Sequence, residues 1–154
     1  MEAAPSPRRR PEQLLRWLPV IAWAAMISVL STGWFETERT GRFFLPLLAA
    51  LFPTARPEQL RTMHQAIRKL AHFAEYLVLS LLLYRALRGG RGWSLRAAWM
   101  AVGIAGFYAV ADELHQWLVP GRTAAAGDCL IDVSGAAAGQ GLLAARGRSP
   151  RARA

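Results

Sequence analysis

Three stretches carry the residues that could do chemistry. "KLAHFAEYL" (residues 69–77) sets Lys69, His72, Glu75 and Tyr76 at helical spacing along one side. "ADELHQWLVPGR" (residues 111–122) holds Asp112, Glu113, His115, Gln116 and Arg122. "GDCLIDVSGAAAG" (residues 127–139) lines up Asp128, Asp132, Gly135 and Gly139 at steps of three and four. An imidazole beside carboxylates can pass protons, so His72, Glu75 and Glu113 are the catalytic candidates, with Asp128 or Asp132 to orient the ring. Lys69 and Arg122 are cationic donors, and a guanidinium can grip a phosphate or carboxylate with two parallel bonds. The acids would then orient these donors and accept from sugar or amine groups. A metal set of His72, Glu75 and Glu113, with or without His115, lacks the HExxH spacing, so neither metal nor cofactor is expected. No serine elbow or phosphatase motif accompanies these residues.

The elements that must position them are apolar blocks. The chain has 154 residues, 53% of them hydrophobic, and a formal charge of +9. Residues 17–35 contain no charge at all, enough for a helix across a bilayer. Residues 70–84, 97–111 and 129–145 are shorter or carry acids, and each alone would suit a buried helix. Four such blocks in one small chain, flanked by Arg, Lys, Trp or Pro, predict a multi-pass membrane protein. On this topology the three polar stretches sit at the same depth on the same side. An intramembrane acid or lysine is tolerated when it faces partners inside the bundle. The alternative is a wet headgroup position, evenly weighed for Lys69, Asp112 and Asp128; His115 and Gln116 stay open.

Arginine sets the orientation. Arg8, Arg9, Arg10 and Arg16 precede the first block, Arg85, Arg88, Arg91 and Arg96 separate the second and third, and Arg146, Arg148, Arg151 and Arg153 follow the fourth. The positive-inside rule therefore puts both termini and the central short loop in the cytoplasm, with the polar cluster facing out. The basic start resembles a signal peptide, but the apolar run continues too far, which favours an uncleaved anchor. A nucleic-acid partner is not expected, because no aromatic–basic interleaving accompanies the arginines. Membrane lipids are the expected surroundings.

Along the chain, residues 1–13 read as a disordered basic tail, 14–145 as the membrane domain and 146–154 as a basic cytoplasmic tail. Residues 43–53, "FFLPLLAALFP", are too short to span and hold Pro46, so they read as an interfacial or re-entrant segment. Pro57 suits a helix start, and no breaker intervenes before Gly89, which lets that helix run directly into the second span. Pro120 and Gly121 read as a turn. The single Cys129 excludes an intrachain disulfide. The fold class is all-α, a four-helix transmembrane bundle with that short segment between its first two spans. Gly135 and Gly139 form a small-residue face for close packing, within the bundle or, as the alternative, in a homodimer.

Together, "KLAHFAEYLVLSLLL" and "DELHQWLVPGRTAAAGDCLIDVSGAAAG" resemble the signature of the VanZ-like family of small bacterial membrane proteins. The likeness uses Lys69, His72, Glu75, Tyr76, Asp112, Glu113, Gln116, Pro120, Gly121, Arg122, Asp128, Gly135 and Gly139, and covers about residues 31–141. It implies four membrane helices and a cell-envelope setting, with antibiotic resistance to teicoplanin associated with the naming member. It brings no mechanism and no cofactor. The expected function is recognition of an anionic, lipid-linked or phosphorylated envelope component at Lys69, His72, Glu75, Tyr76, Asp112, Glu113, Gln116, Arg122, Asp128 and Asp132. The alternatives are acid–base catalysis on a lipid-linked substrate and a structural or coupling subunit.

Overall fold

The computed structural model describes residues 9–31, 37–89, 92–117 and 126–148, with side chains over 13–31, 40–89, 92–117 and 127–146. The described chain is all-α: α1 (Arg9–Leu30), α2 (Thr37–Leu51), α3 (Pro57–Arg88), α4 (Leu95–Trp117) and α5 (Ala126–Arg148). α1 thus begins inside the stretch whose composition reads as a tail.

α3 organises the bundle, packing against each of the other four helices and most extensively against α5. Its start follows from Pro57 at the first helical position, where the missing N–H costs nothing, and from the Gln59 side chain, which accepts from the Arg56 backbone at 2.8 Å. It stops where Gly89 takes a left-handed conformation, φ 58°, and donates to the Arg85 carbonyl. The 32 residues between extend for about 48 Å against a hydrocarbon core of about 30 Å. The surplus is the first turns of α3, and α2 packs against this helix. The uninterrupted run into the second span is as the sequence predicts. Of residues 43–53, read as an interfacial or re-entrant segment, 43–51 are helical within α2, with Pro46 inside the helix.

Among the described residues, three helices are long and apolar enough to cross a membrane: α1, α3 and α4. α5 is not among them, against the expectation of four. Its 23 residues have the length, but Asp128, Asp132, Ser134 and Gln140 dilute an Ala- and Gly-rich sequence. Those polar residues are partly turned inward: Asp132 and Gln140 are buried, while Leu130 and Leu142 face out.

The same inversion runs through the bundle. Beside Ile27, Tyr76, Leu79 and Leu83, much of the interior is small or polar, with Ala97, Ala101, Ala105, Ala109, Ala136, Ser31, Ser80, Asp112, Gln116, Asp132 and Gln140. The exterior carries Leu18, Ile21, Val29, Trp99, Phe107, Val110 and Leu114. Helices in lipid gain nothing from hiding large apolar groups from each other, so they pack through small residues and hydrogen bonds.

Candidate functional site

α1 and α4 end where α3 and α5 enter their polar stretches, which gathers side chains from four helices at one end of the bundle. Tyr76 is at its centre, with no exposed surface. Its hydroxyl has no hydrogen-bond partner among the described residues, and its ring tilts against that of Tyr108 at 6.3 Å. One turn earlier on α3, His72 Nδ1 lies 3.6 Å from Asp132 Oδ1 on α5 and 3.9 Å from Glu75 Oε2. The imidazole is therefore within ion-pair range of two carboxylates from different helices, at separations longer than hydrogen bonds.

A second carboxylate is tied from two sides. Asp112 Oδ2 accepts from Ser31 Oγ at 2.6 Å and from Gln116 Nε2 at 2.8 Å. Below it Tyr108 donates to the Ala24 carbonyl at 2.7 Å, spending its only proton, so Ser28 must donate across the 2.6 Å contact between their hydroxyls. Trp23 Nε1 donates to the Glu75 carbonyl at 2.9 Å. These bonds tie α1 to α4 and α3.

Deeper in the bundle a third group closes the α3–α5 seam. Ser80 Oγ donates to the Ala136 carbonyl at 2.8 Å, and Gln140 Nε2 donates to the Ser80 carbonyl and hydroxyl at 3.0 and 2.6 Å. Such proximity needs glycine. A Cβ at Gly135 would overlap the Phe73 carbonyl, and one at Gly139 would stand 3.0 Å from the Leu77 carbonyl oxygen. Both glycines are thus used within the chain.

The predicted site residues divide accordingly. Tyr76, Asp112, Gln116 and Asp132 are buried, while His72, Glu75, Glu113 and Asp128 are half-buried. Lys69 and His115 are exposed. Lys69 lies close to the helix angle of Tyr76, but periodicity does not fix the path of a long flexible cation, which can reach water from an inward-leaning stem. Arg122, Pro120 and Gly121 lie outside the described residues. Sequence reasoning missed Trp23, Ser28, Ser80, Tyr108 and Gln140. Each is a single polar group on an apolar face with a partner on another helix, so no local spacing marks it.

A cavity of about 320 Å³ opens beside the cluster, between the end of α1, α2 and the start of α3. Ser31, Thr40, His64, Arg68, His72 and Glu75 supply its polar lining, and Leu30, Phe44 and Ile67 its apolar walls. The recess is mostly apolar, with these polar groups set into it. The VanZ/LLP1 family model matches residues 15–146, which include all five helical cores and every residue of this site. The chain belongs to the VanZ/LLP1 family. No curated protein and no solved structure matches it. Membership agrees with the apolar exterior and the helices able to span: this VanZ/LLP1 chain is a membrane protein.

Proposed function

We propose that this chain is a binding module of the cell envelope that takes the anionic headgroup of a lipid-linked component in the cavity between α1, α2 and α3. The observation that carries the reading is the cavity's lining, where the Arg68 side chain, the hydroxyl residues Ser31 and Thr40, and His72 and Glu75 meet in one recess. Arg68 would grip a phosphate or carboxylate, and Glu75 with His72 would accept and donate to sugar hydroxyls or amines. α5 crosses the membrane beside α3 on this reading, its polar face satisfied inside the bundle, which makes four spans. The arginine distribution puts both termini in the cytoplasm and the cavity on the outer side of the inner membrane. Drug susceptibility then follows from handling of an envelope component, and loss of the protein should lower tolerance of teicoplanin.

Native mass spectrometry of the purified full chain tests this. The expected result is a retained adduct whose mass fits a lipid-linked headgroup, diminished in Arg68→Gln and Glu75→Gln. Ordinary bilayer phospholipids alone, bound equally by all three proteins, would contradict it.

One observation favours catalysis as the second reading. His72 between Glu75 and Asp132 resembles a base with an orienting acid. Conversion of a lipid-linked substrate, abolished by His72→Gln with adduct binding intact, would establish it over simple recognition.

A further inference from the structure

A second, larger cavity of about 540 Å³ lies between α2 and the first turns of α3. Gly41 and Arg42 of α2 and Arg61, His64 and Gln65 of α3 are among its lining residues. His64 is only 4% exposed, yet its Nε2 has no hydrogen-bond partner among the described residues. Its plane is set by stacking on Phe44, ring centroids 5.9 Å apart and 25° from parallel. Gly41 packs beside the ring, where an added Cβ would stand 3.8 Å from His64 Cε1. Neither Arg42 nor Arg61 makes an ion pair with any described acid.

We infer that this α2–α3 cleft is a phosphate site, with the Arg42 and Arg61 guanidiniums binding the phosphate oxygens and His64 Nε2 completing the set. Two forked cations on facing helices match the planar, paired acceptors of a phosphate mono- or diester. A buried imidazole nitrogen left without a partner is costly in a folded protein and is expected to have one when the site is filled. Phe43 and Leu47, 84% and 53% exposed on α2 near the cleft, suit contact with acyl chains and set the site at the level where lipid phosphates lie. The phosphate can come from a phospholipid or from a phosphorylated solute. His64 lines both cavities, but Arg42 and Arg61 line only this one and Glu75 only the other, so the arginine variants and Glu75→Gln tell the two readings apart.

The test uses the full chain in maltoside micelles and phosphate-free buffer, with ¹³C-labelled histidine followed by NMR. His64→Phe, which keeps the stack on Phe44, identifies the His64 signal among the three histidines. Inorganic phosphate and dihexanoyl phosphatidic acid are titrated separately. The expected result is a saturable shift of His64 alone, with Arg42→Gln and Arg61→Gln each weakening binding about tenfold or more. Saturation by phosphatidic acid only assigns the site to lipid; equal affinity for inorganic phosphate assigns it to a solute. Glu75→Gln should leave the titration unchanged, which separates this site from the neighbouring cavity. No saturable His64 shift with either probe, or wild-type affinity in both arginine variants, overturns the inference.

Discussion

Ser31, the first residue past α1, donates to Asp112 Oδ2 near the end of α4 at 2.6 Å, inside a bundle where both side chains are buried. With the bonds of Tyr108 to Ala24 and Ser28, this bond ties α1 to α4, and it is the one of the three that ends on a carboxylate of the site.

Removing a donor to Asp112 should therefore be costly. Ser31→Ala and Gln116→Ala are each expected to destabilise the protein by about 1–2 kcal/mol, since each loses a bond to a charged or strongly polar acceptor. The double variant should depart from additivity by more than about 0.5 kcal/mol, because the second loss strips the carboxylate of its remaining partner. Reversible unfolding of the full chain in mixed micelles provides the measurement. Simple additivity would mean that water replaces both donors.

Glycine positions give a sharper contrast. Gly135→Ala pushes a methyl group into the Phe73 backbone carbonyl and should cost about 1–3 kcal/mol. Gly139→Ala meets the Leu77 carbonyl less closely and should cost less. Gly103→Ala and Gly141→Ala meet nothing and should be neutral or stabilising, as expected where a helical glycine has open space. Thermal unfolding of the four variants in one detergent would show the order; equal effects at all four positions would mean that the α3–α5 seam is loose.

Much of this was legible in the sequence, and the reasons differ from residue to residue. α3 could be read as one helix because Pro57 starts it, Gly89 ends it and nothing breaks it between. The meeting of His72 with Asp132, and of Asp112 with Gln116, followed from helical periodicity combined with a common depth. Counting residues 129–145 as an apolar block overstated α5, whose small and polar residues serve packing. His64 was invisible because a lone histidine at the start of a helix carries no spacing signal. It stacks on Phe44, in a segment whose proline and short apolar run read as interfacial or re-entrant.

The carboxylates around His72 should behave as one unit. Glu75→Gln and Asp132→Asn each alter one of two carboxyl groups within 4 Å of the same imidazole nitrogen. Their combined effect on unfolding is expected to differ from the sum of the single effects by about 0.5 kcal/mol or more. Strict additivity would show that the two acids answer to separate surroundings.

Orientation is open to chemical labelling. In a Cys129→Ser background, a membrane-impermeant thiol reagent applied to intact cells should reach Ala124→Cys and miss Gly90→Cys. The reverse pattern would turn the chain over and put the cavity on the cytoplasmic side.

Ala71 lines the cavity beside His72 and is itself exposed, so a bulky residue there fills the recess without touching the bundle core. The most direct measurement is native mass spectrometry of Ala71→Trp beside the wild type, purified identically and matched for unfolding midpoint. Binding of a headgroup in this cavity requires that the wild type retain its adduct and that Ala71→Trp lose it. An adduct held equally by both proteins would contradict that claim.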